Sequence, residues 1–170
     1  MPQEQFTDAI ALLKADHRKV EDLFAKFEKA SGSDRKWAIA QEICNELKIH
    51  TIIEEEIFYP ACESAVEEDL YNEAFVEHDG AKVLVNDIME TGGEGEFFEA
   101  KVKVLSEEIE HHVKEEEKPG EGFFAQARDG DIDMVALRDQ LMARKEELMA
   151  QAENGGLPPA QLTAVHPETA

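Results

Sequence analysis

Basic residues are scarce in this chain: 17 Lys and Arg stand against 39 Asp and Glu, for a formal charge of −22. A surface of that sign repels phosphate backbones and anionic headgroups, so neither nucleic acid nor a membrane is expected as a partner. Cysteine is nearly absent. Cys44 and Cys62 lie 18 residues apart, and that much helix spans about 27 Å, too far for a disulfide. Neither belongs to a CxxC or zinc-finger spacing, and reduced thiols fit a cytoplasmic protein. No apolar run is long enough to span a bilayer, and no signal peptide is recognisable. No segment has the alternation and turn chemistry of a strand. What remains is 170 residues with 42 % apolar content, enough for one folded all-α domain.

Apolar residues recur at helical spacing in five stretches. The first helix is expected to start at Thr7, with Asp8 at its positive end, and to finish at Ser31-Gly32-Ser33. The second runs from Asp34 to Tyr59, where Pro60 should kink or stop it, with a short continuation through 61–67. The third spans Leu70–Glu90 and the fourth Glu96–Lys118, ended by Pro119-Gly120. Four long helices with short connections form an up-down four-helix bundle over 1–128. After a loop rich in Gly and Asp, an amphipathic C-terminal helix within 129–153 packs on the bundle or on a partner. Residues 154–170 read as a disordered tail.

The central stretch is ICNELKIHTIIEEEIFY, residues 43–59. Ile43, Leu47, His50, Glu54 and Ile57 share one helical face, which buries a histidine and a glutamate one turn apart. Leu105, Ile109, His112 and Glu116 repeat the same four, three, four spacing. Single histidines interrupt two other apolar stripes: His17 between Leu13 and Val20, and His78 between Ala74 and Ala81. In an up-down bundle, all four histidines lie at heights of about 15, 15, 12 and 9 Å above the same end. One such histidine alone reads as a core residue bonded to a neighbour. Four in one layer with two glutamates, and no inward Lys or Arg among them, read as a metal site, because buried charge must be paired or coordinated.

These residues carry a resemblance. His17 in KADHRKVEDLF, His50 and Glu54 in HTIIEEEIFYP, His78 in EHDGAKVL, and His112 and Glu116 in HHVKEEE resemble the H…HxxxE…H…HxxxE pattern of hemerythrin-like domains of the HHE cation-binding family. The resemblance implies a non-haem centre of two iron ions, oxo- or hydroxo-bridged and spanned by the two glutamates, that binds or senses dioxygen or a related species. The chain departs from that pattern twice. Ala74 stands where oxygen carriers have a further histidine, which speaks against stable oxygen carriage. KPGEG follows the fourth helix in place of the family's usual ending, a change expected to affect only the bundle rim.

The donor set leads to similar chemistry. Four imidazoles and two carboxylates suit iron better than calcium or magnesium, and leave about two of twelve octahedral positions open for dioxygen, peroxide or nitric oxide. Neutral imidazole favours reversible binding or sensing over hydroxylation. Glu21 and Glu77 are candidates for an open position. His111 points about 100° from His112 and reads as a flank residue, the alternative ligand together with Glu115 if the helical phase is off by one. Glu55, Glu56, Glu115 and Glu117 read as solvated faces. The sequence also admits an iron sensor or store, a peroxide-consuming enzyme, and a metal-free acidic interaction module. The C-terminal helix could in turn join a second copy or another protein.

Overall fold

A computed structural model describes residues 6–166, and its regular structure over that range is entirely helical. Helix α1 spans Ala9–Lys29, with the Asp8 side chain accepting the Ala11 N–H as its N-cap. Helix α2 spans Ser33–Ile53. It passes without a break through a π-helical turn, Glu54–Phe58, into the short α3, Tyr59–Cys62, and a 3₁₀ turn, Glu63–Ala65. Pro60 therefore does not stop this helix. The wider turn just before it, in which the Tyr59 N–H bonds the Glu54 carbonyl, accommodates the proline.

Helix α4 spans Glu68–Thr91 and α5 spans Phe98–Glu117. Two further helices follow: α6, Phe123–Asp129, in the stretch expected to be loop, and α7, Met134–Glu153, capped by Asp133. The bundle neighbours are α1 with α2, α2 with α4, α4 with α5, and α5 with α1. This is the up-down order that the short connections require. Helix α7 lies across α1, α2 and the π turn of the same chain, burying Leu137, Leu141 and Leu148.

Two apolar clusters fill the interior. One gathers Ile10, Leu13, Ile53, Phe58, Tyr59, Phe123, Phe124 and the α7 leucines, and the other gathers Val20, Phe24, Ile43, Leu47, Val85, Leu105 and Ile109. His17, His50, Glu54, His78, His112 and Glu116, all at most 6 % exposed, are absent from both clusters and lie where the stripes pass from one to the other. Both cysteines are buried and free, with their thiols pushed up to about 12 by burial.

The tail differs from the expectation of disorder. Residues 157–165 have no regular structure, yet they run back over α4 in defined hydrogen bonds, described below. The expectation for 167–170 lies outside the described residues.

Candidate metal centre

Each bundle helix brings one histidine to the layer, and the i, i+4 spacing of α2 and α5 sets a glutamate beside two of them. His17 Nε2, His50 Nε2, Glu54 Oε1 and Glu116 Oε1 converge on the α1/α2 side. His50 Nε2 lies 2.9 Å from Glu54 Oε1, and His17 Nε2 lies 3.3 Å from Glu116 Oε1. Despite those distances, all four atoms are buried without an aligned hydrogen-bond partner, as is Glu54 Oε2. Five orphaned polar atoms in one place would be costly in a finished core. A cation resolves the cost: donors each about 2.1 Å from an octahedral ion sit about 3.0 Å from one another, close to the separations found.

The α4/α5 side has a second group, Glu54, His78 and His112. Glu54 Oε2 lies 3.1 Å from His78 Nε2, and His112 Nε2 lies 3.1 Å from Glu116 Oε1. The two carboxylates thus stand between the two groups. Tyr59, fully buried, also projects here. Its hydroxyl donates to Glu116 Oε2 at 2.9 Å and lies 3.1 Å from His78 Nε2 and 3.3 Å from His112 Nε2. The π turn places it there. In an uninterrupted α-helix, Tyr59 would lie about 140° around the axis from Glu54, whereas an i→i+5 turn carries it back over that residue.

The outer nitrogen of every imidazole meets a carboxylate. His50 Nδ1 pairs with Asp16 Oδ2 at 3.0 Å, His17 with Glu117 Oε2 at 2.7 Å, His78 with Glu55 Oε2 at 2.9 Å, and His112 with Glu77 Oε1 at 2.8 Å. A carboxylate only accepts, so each Nδ1 carries a proton and each Nε2 is turned inward, the arrangement that orients histidine toward a metal. Each carboxylate is backed by a basic side chain. Lys145 of α7 reaches Asp16 at 2.5 Å, Lys82 reaches Glu55 at 2.7 Å, His111 reaches Glu77 at 3.0 Å, and Arg18 reaches Glu117.

Burial alone would lower the basicity of His50 and His112, but the charges of Glu54 and Glu116 outweigh it. His50 is raised well above its ordinary value, and His112 is raised to about 10. Burial and mutual repulsion raise the Glu54 carboxyl, yet its histidine contacts bring it down to about 2. Protons on His17, His50 and His112 are the counter-charge to the two buried carboxylates, and a bound metal would take their place.

A model of the hemerythrin HHE cation-binding domain matches residues 8–119. The chain belongs to that family. Its fold is similar to the crystal structure of a hemerythrin HHE cation-binding domain-containing protein from Mycobacterium kansasii. The TM-score is 0.72 at 25 % identity, over 87 % of this chain and 91 % of that one. A DNA nickase from Nostoc sp. (strain PCC 7120 / SAG 25.82 / UTEX 2576) is 26 % identical over 106 residues, 62 % of this chain but only 30 % of the nickase.

All six residues expected from the HHE pattern meet in the layer. The other candidates do not. Glu21 is 44 % exposed and pairs with Arg18, His111 is 66 % exposed, and Glu77 turns to His112 Nδ1. Glu55 and Glu117, expected on solvated faces, instead hold His78 and His17. Lys82 is buried beside the layer, against the expectation of no inward cation there, but it pairs with Glu55 and Asp79 and leaves Glu54 and Glu116 to the imidazoles.

Asp16 and Tyr59 escaped the sequence reading. Asp16 is adjacent to His17, and adjacency gives no signal that it serves His50 on the next helix. Tyr59 needed the π turn to be foreseen. The KPGEG segment is also more than rim. Gly122 packs so tightly that a Cβ would come within 2.7 Å of the Glu115 carbonyl and the Lys118 nitrogen. That close turn delivers buried Phe123 onto the Tyr59 ring at 4.6 Å and Phe124 onto His17 at 5.7 Å.

Proposed function

We propose that this chain is a non-haem di-iron protein that binds or senses dioxygen or a related small species, such as peroxide or nitric oxide. The observation that carries the reading is the set of five buried donor atoms on His17, His50, Glu54 and Glu116 that face one another without an aligned hydrogen bond. In this reading His17 and His50 would hold one metal ion and His78 and His112 the other, with Glu54 and Glu116 placed between the two pairs and the Tyr59 hydroxyl beside the second. Iron held there would supply redox chemistry toward a small ligand.

The chain's own residues fix the conditions. The four Nδ1–carboxylate pairs lock the ring planes, so loading requires little rearrangement. Phe58, Phe123 and Phe124 wall one side of the layer, limiting water there and raising the strength of every charge interaction inside. Tyr59 holds a proton 2.9 Å from Glu116, and burial and the carboxylate charges keep it on the phenol. The mixed imidazole and carboxylate set supports iron over calcium or magnesium. The nickase's named activity is no part of this reading: the chain spans 30 % of that protein, and its charge of −22 opposes binding to nucleic acid.

Anaerobic loading with ferrous iron, followed by metal quantification and absorption spectra before and after air, tests the reading. About two irons per chain are expected, with a spectrum that changes on exposure to air. Metal content near zero would overturn it, and content near one would remove the paired centre.

A further inference from the structure

The irregular segment after α7 is held to α4 by Asn86, Asp79 and Lys82, of which only Lys82 also touches a carboxylate behind the metal layer. The Asn86 amide clasps Ala160, accepting its N–H at 2.8 Å and donating to its carbonyl at 2.8 Å. Asp79, fully buried, accepts the backbone N–H groups of Thr163 at 2.9 Å, Ala164 at 2.6 Å and Val165 at 2.7 Å. Three charge-assisted bonds from consecutive residues make a socket for this strap. Lys82 Nζ adds bonds to the Gln161 carbonyl at 2.9 Å and to Thr163 Oγ1 at 3.3 Å.

Thr163 links the strap to the centre. While its N–H docks on Asp79, its hydroxyl donates to Glu55 Oε1 at 2.5 Å. The other oxygen of Glu55 accepts from His78 Nδ1 at 2.9 Å. Glu55 sits on the π turn, and its carboxylate is pinned by groups of α4 and of the strap, Lys82 and Thr163. Lys82 lies 3.0 Å from Oε1 and 2.7 Å from Oε2, so without the hydroxyl the carboxylate that sets the His78 ring plane loses one of its two anchors besides His78.

We propose that the strap 160–165, which lies outside the family's matched region, positions His78 for metal binding, with Thr163 as a positioning residue acting through Glu55. The proposal rests on the metal-centre reading above. Coupling of this kind is reciprocal: if the docked strap strengthens metal binding, bound metal strengthens strap docking by the same factor.

The 170-residue chain is the test material, with zinc(II) as a redox-silent probe. Thr163→Val removes the hydroxyl and keeps both shape and backbone N–H, and Thr163→Ser restores the donor. Two measurements are made: zinc release to an excess of chelator, and amide exchange across 160–165 with and without zinc. Loss of the carboxylate directly behind a ligating histidine weakens metal binding about 10–100-fold, and Thr163 stands one bond further out with Glu55 still in place. Thr163→Val should therefore speed release of one of the two zinc ions by a smaller factor, about three- to tenfold, and leave the other unchanged, with Thr163→Ser near wild type. Zinc should slow strap exchange in the wild-type chain and not in Thr163→Val. Wild-type release from Thr163→Val, equal acceleration of both ions, or strap exchange indifferent to zinc would each overturn the positioning role while leaving the centre intact. A wild-type chain that takes up no zinc and no iron would overturn both.

Discussion

The two sides of the centre grow from the same HxxxE unit and end in different surroundings. On the α1/α2 side, His17 and His50 point their Nε2 atoms at Glu116 and Glu54 without an aligned hydrogen bond. On the α4/α5 side, the His78 and His112 nitrogens come within 3.0 Å of each other and share the Tyr59 hydroxyl. The sequence units are equivalent, so the asymmetry comes from what lies between them. One π turn re-aims Tyr59, and one tight turn at Gly122 sets Phe123 behind it. Matching motifs therefore do not guarantee matching sites. Ala74 of α4, the position that lacks a histidine, is buried in the same apolar cluster as Tyr59, whose hydroxyl is the added polar group on that side.

Breaking the part common to both sides should have the largest effect. Glu54 contacts His50 through one oxygen and His78 through the other. Glu54→Ala should lower metal content from about two ions per chain to near zero, since each side loses a charged donor. Metal quantification after anaerobic loading checks this. Retention of one ion would show that the sides are independent. Tyr59→Phe should instead separate them. It preserves the ring packing on Phe123 and His78, so the fold survives, although the unpaired Glu116 oxygen costs about 1–3 kcal/mol. One metal should stay tight and the other weaken by about tenfold or more, as measured by competition with a chelator. Equal weakening of both ions would refute the assignment of Tyr59 to one side.

Much of this is legible in the sequence alone. The bundle follows from four apolar stripes and their breakers, and the layer follows from histidines at equal height on those stripes. Both are periodic signals, and periodicity survives in a single sequence. The misses share a cause. Asp16, Glu55, Glu77 and Glu117 act across helices on partners remote in sequence, and an acidic residue facing a neighbouring helix looks the same in a string as one facing water. Tyr59 was hidden by a local change of helical period. The strap was hidden because Gly, Pro and Ala signal irregular backbone, which is accurate, but not whether buried acceptors such as Asp79 await it.

Protonation tests the centre as a whole, through stability rather than stoichiometry. In the metal-free chain His112 is raised from 6.5 to about 10. A raised pKa contributes stability that is fully present below about 6.5 and is lost as pH rises through about 10. Melting temperatures of metal-free protein should therefore fall across that window. Metal-loaded protein, whose nitrogens hold no such protons, should fall less. Parallel decline of the two forms would mean that metal does not replace these protons.

The smallest effects come from the outermost links, and their ranking gives a further comparison of the two sides. Asp16 is 5 % exposed and accepts from both His50 and Lys145. Asp16→Asn keeps the shape but removes the charge that aligns His50, and should weaken one metal by about tenfold. His111 occupies the corresponding outer place behind Glu77, but at 66 % exposure its ion pair is screened by water. His111→Ala leaves Glu77 bonded to His112 Nδ1 at 2.8 Å, and should change affinity by no more than about twofold. The pair also settles the helical phase, because a ligand at position 111 would reverse the order. If His111→Ala costs more metal than Asp16→Asn, the inward face of α5 is carried by His111, and the buried Nε2 of His112 has been assigned the wrong role.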